Sequence, residues 1–423
     1  MKNIFLFTVL SFFLIQNELS ATSLLLQSGL GEINYSANVR SAGMGGTSIS
    51  IYDSYNLNRF NPASWTGAKN ARFSAEVMGK TTSVSGNSSG SLKSGTFNGL
   101  SFGVPIKNRV FLGIALTPYS DYGFEATATG AQTISIGDST EIYDFTEKIS
   151  ETGGLSNVLL GTGVRVNQYL SLGFKADFLI GKLREERTVN YDSISSVGTI
   201  ADFSRSVEAK MKGLNLSFGA LVSPTKELSV GLTYGLGNTI DYEIERFFDY
   251  DEYYNEDERP TRIDTLELKI PASIGVGVSY KVLPRLLLAA EYSKQNWNNF
   301  KIVGSENNSQ VRYLNSQRFK FGGELSHNPR YDAKIWDKFK YRFGFNFAKL
   351  YQTDLKGNSI NEYLVSLGVG FPFIYSSGST QLDAAFEFGK RGSTSKNEIS
   401  ETLYKFTIGI TGLETWFVNR RRK

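Results

Sequence analysis

From about residue 70 to the C-terminus, apolar side chains alternate with polar or small ones at period two, segment after segment. Between Leu170 and Gly181 one set is Leu172, Phe174, Ala176, Phe178 and Ile180; the other is Ser171, Gly173, Lys175, Asp177 and Gly181. Tyr341, Phe343, Phe345 and Phe347 stand against Arg342, Gly344, Asn346 and Ala348. Leu382, Ala384, Phe386 and Phe388 stand against Asp383, Ala385, Glu387 and Gly389, and Tyr404, Phe406, Ile408 and Ile410 repeat the scheme. Successive side chains of a strand point to opposite faces, so each set shares one face of a sheet.

Which face is wet decides the class. A soluble sandwich turns its apolar face to a core; a membrane barrel turns it to lipid and its charged or small residues to the lumen. The polar set is rich in glycine and serine, as at Ser273, Gly275, Gly277 and Ser279, which suits a packed interior. Aromatic content of 13%, led by 30 Phe and 22 Tyr beside 42 Gly, favours β-structure and barrel packing.

The N-terminus reads as a removable export signal: Lys2, the apolar run Ile4–Ile15, and Leu19-Ser20-Ala21 before the cut. The alternative, a short anchor, falls short of the about 30 Å of a bilayer core. Without cysteine there is no disulfide framework, thiol chemistry or lipid-modified N-terminus. Beyond the leader no run of about 18 uncharged apolar residues occurs, so membrane crossing requires a closed β-barrel. The reading is all-β: a transmembrane antiparallel barrel of about 14 strands in the bacterial outer membrane, with lipid as its surroundings and an N-terminal plug in its lumen. Its divisions are a leader 1–21, a hatch or plug 22–69, a barrel 70–418 and a basic tail 419–423.

The spacing predicts strands at about 70–82, 95–105, 109–121, 155–167, 170–186, 205–223, 228–246, 263–282, 286–303, 313–327, 340–350, 362–373, 380–392 and 399–417. Links alternate between tight (Ile106–Asn108, Asn167–Tyr169, Ser223–Glu227, Leu283–Pro284) and long (125–154, 187–204, 247–262). Short periplasmic turns and long extracellular loops follow that rule. Asn328–Phe339 is a longer periplasmic link, whose Trp336 reaches the headgroup zone or packs on the barrel base. The closing Trp416-Phe417 resembles a recognition signal for barrel-assembly machinery, the expected partner during biogenesis.

Residues 28–65 have neither strand alternation nor helical periodicity, and are punctuated by Gly29, Gly31, Gly43, Gly45, Gly46 and the breaker Asn61-Pro62. A plug is the reading that fits. Arg72, Glu76, Arg165, Lys175, Asp177, Glu291, Lys320, Glu324, Arg342, Asp383 and Glu387 fall on inward positions. Mixed signs do not make a selective filter. Either they bind the plug, with Arg40, Asp53 and Arg59 as partners, or they line a water-filled pore.

Catalytic signatures are nearly absent, and no enzyme, cofactor, metal or nucleic-acid partner is expected. Gly86-Asn87-Ser88-Ser89-Gly90 matches a nucleophile elbow formally, but no helical pattern follows and the single histidine, His327, falls at the other end of the barrel. The acidic run Asp249–Glu258 lacks the regular ligand spacing and turn glycine of a calcium loop and reads as solvated. Pro118, after the outward row Val110, Leu112, Ile114 and Leu116, cannot donate to a ladder. With Gly123 it marks either a lateral opening in the wall or a strand leaving the sheet for the 125–154 loop.

Three stretches resemble the FadL-type family of outer-membrane transporters for long-chain fatty acids and other hydrophobic compounds. They are SGLGEINYSANVRSAGMGG (28–46) followed by Asn61-Pro62-Ala63; LKIPASIGVGVSYKVLPRLLLAAEYSKQNW (268–297); and the later FKFGGEL, YRFGFNF and YLVSLGVGF. The resemblance implies a hatch at Gly43, Met44, Gly45, Gly46, Asn61, Pro62 and Ala63, and ligand release at a kinked third strand. The chain departs from the family in 125–154, where Tyr143, Phe145 and Ile149 are the main apolar content and no amphipathic helical hairpin is evident. The expected function is passive uptake of a hydrophobic small molecule through that hatch. The alternatives are a non-transporting or secretion-associated barrel that binds a partner protein through its loops, and a general porin.

Overall fold

The computed structural model describes residues 22–87, 89–106, 109–136, 139–191, 202–250, 261–300, 302–303, 312–326, 334–375 and 378–414. After a short β1 (Glu32–Ile33) come β2 (Ala71–Gly86), β3 (Gly90–Ile106), β4 (Val110–Ile136), β5 (Ser139–Arg165), β6 (Leu170–Tyr191) and β7 (Phe203–Val222). Next are β8 (Leu228–Gly235), β9 (Asn238–Tyr250), β10 (Thr261–Ile270), β11 (Ser273–Leu283), β12 (Leu286–Gln295) and β13 (Ile302–Val303). The last are β14 (Ser316–Leu325), β15 (Lys340–Thr353), β16 (Ser359–Tyr375), β17 (Gly378–Gly392) and β18 (Ile399–Glu414).

All neighbours pair antiparallel, and β18 returns to β2 from Ile399↔Gly86 to Glu414↔Ala71, closing the cylinder. The pairs β8/β9 and β10/β11 each act as one stave, with β9 pairing β10 above and β8 pairing β11 below. β12 is extended by the two residues of β13, so the wall is a closed fourteen-stranded antiparallel barrel. Closure leaves few free edges, the condition for placing a sheet in lipid.

The period-two faces fall as their chemistry requires. Phe73, Leu112, Leu172, Phe178, Phe319, Phe343, Leu382 and Phe406 are exposed on the outer wall, a girdle suited to acyl chains. Their polar neighbours Lys175, Arg342, Asp383 and Glu387 are buried inside. No helix among the described residues is long and apolar enough to cross a membrane.

The expected long loop 125–154 is instead regular structure. β4 and β5 each run 27 residues, paired from Val110↔Val164 to Ile136↔Ser139. That is about 90 Å of extended chain at ~3.3 Å per residue, where 9–11 residues cross a bilayer. Above the girdle the strands no longer face lipid, and β-favouring threonines such as Thr127, Thr129 and Thr133 sustain the ladder. Hence Pro118 does not end its strand. At that height the interior also turns apolar: Leu155, Leu179, Leu183, Met211, Ile240 and Leu268 pack with Trp297, Phe300 and Tyr351.

Candidate functional site

The segment 22–69 makes its contacts with inward-facing side chains of the barrel. Its shape follows from local chemistry. Asn38 caps the single turn α1 (Val39–Ala42), its Oδ1 accepting from the Ser41 amide at 2.9 Å. Gly45 and Gly46, at φ +67° and +84°, then reverse the chain in a conformation that other residues rarely adopt. Asn61 caps the 3-10 turn Pro62–Gly67, accepting from the Ala63 amide at 3.1 Å. Its Nδ2 donates to the carbonyls of Ile49 at 2.6 Å and, in the wall, Ala220 at 3.2 Å. Met44, Asn61, Pro62 and Ala63 are all buried.

The wall is shaped to take this backbone. A Cβ added at Gly368 would lie 2.9 Å from the Gly43 Cα, and one at Gly163 2.5 Å from the Pro62 oxygen. At Gly344, Gly322, Gly219 and Gly231 a Cβ would run into Gly45, Met44, Asn61 and Ile49 respectively. These inward glycines were legible in the sequence as small residues on the polar face. What they accommodate was not.

Charge tightens the fit. Glu324 on β14 takes a bidentate contact from Arg40, at 2.9 and 2.8 Å, and a further bond from Arg342 Nε at 2.7 Å. Arg342 also reaches Asp383 at 2.6 Å. Glu291 accepts from Lys320 at 2.9 Å and from the amides of Ser48 and Ile49 at 2.9 and 3.0 Å. Lys320 in turn donates to the Gly46 carbonyl at 3.0 Å. Arg72 donates to the carbonyls of Asp53 and Asn56 at 3.0 and 2.9 Å, while Asp53 faces Arg40 at 3.5 Å. Lys175 pairs with Asp177 on its own strand, and Glu76 accepts from Asn98 at 2.9 Å. Arg165 is exposed at the rim, from where it donates to the Thr66 carbonyl. Arg59 bonds the Ser36 carbonyl and the Asn34 side chain.

A second ionic cluster escaped the sequence reading. Glu32 of β1 meets Arg391 at 2.8 Å, Lys405 at 3.1 Å and Lys80. Arg391 also holds Glu362 at 2.6 Å and Glu401 at 3.0 Å. Glu401 accepts from Ser23 Oγ at 2.8 and 2.9 Å and from the Leu24 amide at 2.7 Å. The signal was available as alternate inward charges near the upper ends of β16, β17 and β18.

Around this segment lie two cavities, of about 260 and 160 Å³. Both reach Pro118, and the larger is bordered by Glu32, Lys80, Glu387, Arg391 and Lys405. Beside it the wall is incomplete. β3 pairs with β4 only between Leu100↔Leu116 and Ile106↔Val110. β4 continues on its other side through Pro118↔Ser156, with a bulge before Ser120. Along the freed edge of β4, Glu32–Ile33 pair with Asp121 and Ser120, Asn34 N bonds Tyr119 O at 2.9 Å, and Thr22 N bonds Gly123 O at 2.7 Å.

Gly86 ends β2 and Gly90 opens β3, so the elbow-like motif spans a hairpin, with no helix following. Ser88, His327, Asp251–Glu258, Trp416-Phe417 and the basic tail lie outside the described residues. No group of metal-ligating residues occurs among the described residues.

The fold is that of known hydrophobic-compound channels. A FadL homologue of Pseudomonas aeruginosa superposes with a TM-score of 0.60 at 15% identity, covering 91% of this chain and 100% of that one. The CymD monoaromatic hydrocarbon channel gives 0.58 at 14%, covering 90% and 98%. The toluene transporter TodX of P. putida gives 0.56 at 14%, covering 91% and 100%. No curated protein matches the sequence. The architecture thus agrees with the FadL-type resemblance, but the family model that matches is a different one: BamG, over residues 1–423, and the chain belongs to the BamG family.

Proposed function

We propose that this chain is an outer-membrane barrel that binds a partner protein rather than passing solutes through its lumen. The reading is supported by the contacts of residues 22–69 with the wall, backbone against inward glycines and charges paired with it. Withdrawing that segment would strip Glu324, Glu291 and Arg391 of partners, at about 3–5 kcal/mol for each broken buried pair. A charged cavity is also poor solvation for a hydrocarbon. The partner we infer is barrel-assembly machinery, in keeping with the family name, and the tall β4–β5 arm offers it surface at the extracellular end. Purification of the tagged full-length protein from its native outer membrane is expected to retain one stoichiometric partner, and the reconstituted protein to stay silent in planar bilayers. A partner-free, conducting barrel would overturn the reading.

A second reading is passive uptake of hydrophobic small molecules, long-chain fatty acids or aromatic hydrocarbons. It is favoured by the interrupted β3–β4 ladder beside Pro118 and Gly123, and by the structural likeness to a monoaromatic hydrocarbon channel and a toluene transporter. On this reading residues 43–46 and 61–63 are a movable hatch, and the slot delivers ligand sideways into the bilayer. Uptake of labelled oleate or toluene should then change in Pro118→Val and in a 43–46 deletion. Unchanged uptake in both eliminates it.

A further inference from the structure

At the end of the barrel away from the β4–β5 arm lies an aromatic cluster that the lumen does not use. Trp336 sits in the 3-10 turn Ile335–Lys338 that leads into β15, and at 71% it is the one exposed tryptophan among the described residues. It does not pack on the barrel base, yet it is held. Its carbonyl accepts from the Tyr341 hydroxyl at 2.9 Å, and its ring stacks on Phe339 at 6.1 Å. Phe339 in turn packs on Phe371 of β16 at 4.9 Å. Tyr341 opens the exposed outward row Tyr341, Phe343 and Phe345 of β15, so the cluster continues the apolar wall to the rim. An indole at the end of an apolar band suits the zone between acyl chains and water, where the ring is buried and the N–H stays wet.

The charges beside it are mostly of one sign. Lys334 precedes the turn, Lys338 ends it, and Arg285 stands just before β12. Leu286, Leu325 and Tyr341 form one row across β12, β14 and β15, which puts the Arg285 backbone two strand spacings, ~10 Å, from β15. Arg285 Nε donates to the Ser326 carbonyl at 2.9 Å, which fixes its side chain at the rim. Asp337 is the one exposed carboxylate among the described residues at these strand ends. We propose that this rim is a binding patch for a phospholipid whose headgroup bears net negative charge. Trp336 and Phe339 meet the upper acyl chains, and Lys334, Lys338 and Arg285 meet the phosphate. Lipid is the occupant because the patch is continuous with the lipid-facing wall; it is anionic because three cations outweigh one carboxylate. Such attraction grows with each cation and fades with salt. The patch is independent of what the lumen does.

The test reconstitutes the full-length protein in two sets of vesicles of identical composition, an equal mixture of phosphatidylglycerol and phosphatidylcholine. One set carries acyl-chain bromines on the phosphatidylglycerol, the other on the phosphatidylcholine. The Trp336 signal is the difference in fluorescence between wild type and Trp336→Phe. Bromine is expected to quench it at least about twofold more strongly from phosphatidylglycerol. Lys334→Gln, Lys338→Gln and Arg285→Gln together should bring the two sets level while both still quench, and high salt should do the same to wild type. Equal quenching of wild type by both sets means a general aromatic girdle and overturns the proposal. So does a Trp336 signal quenched by aqueous iodide but by neither lipid, and so does a preference that survives the triple variant. If that variant does not migrate as a folded barrel, the wild-type comparison and its salt dependence decide.

Discussion

Gly344 and Glu324 show how much of the interior rests on single atoms. A methyl at Gly344 meets the Gly45 backbone, which cannot rotate away as a side chain would. Gly344→Ala is therefore expected to cost at least the upper part of the ~1–3 kcal/mol typical of overpacking. Heat-modifiable migration in detergent gels would read this as a lowered unfolding temperature, and an unchanged temperature would show that the segment yields. Glu324→Gln leaves Arg40 and Arg342 without their shared carboxylate, a loss of about 3–5 kcal/mol, because Arg342 stays buried and Arg40 largely so. Glu324→Asp should recover part of it. The inward charges were readable because parity along a strand assigns them a face. Their partners were not: Arg40 and Glu324 lie 284 positions apart.

Among elements, all fourteen staves were legible from alternation, and the misjudged pair, β4 and β5, is instructive. The expected third strand ended near residue 121, whereas β4 reaches Ile136. Lipid imposes apolar side chains on the outer face only within the girdle; above it that face meets water and the contrast fades. The arm carries its own test. Glu151 lies directly opposite Glu185, above Ile180, the last exposed apolar residue of β6. Burial, then the neighbouring carboxylate, pushes the Glu151 carboxyl up to about 7, from 4.5 ordinarily. A raised acid favours the folded arm in its protonated form. The arm's stability should thus be greatest below about pH 4.5, decline as pH rises toward about 7, and level off above. Amide exchange across β4 and β5, corrected for intrinsic rates, is expected to be slower at pH 5 than at pH 8. Glu151→Gln should flatten that difference, and an unaltered profile would assign it to other groups.

At the scale of the whole molecule, we infer that the cylinder is closed by its own N-terminal segment. Wild-type protein in a planar bilayer is expected to give little conductance, and a variant lacking residues 22–69 that still folds to a heat-modifiable barrel should give large, stable steps. Comparable conductance from both would mean that the segment leaves a water path open.

The sequence by itself determined the class, because strands in lipid need closure and period two needs an inside and an outside. It also marked residues 28–65 as the stretch that no strand could use. Tertiary structure alone decided where that stretch sits, which glycines it rests on, which charges meet across hundreds of positions, and that one ladder stops at Leu116. Those are properties of distances between remote residues, and alternation along a chain encodes faces, not distances.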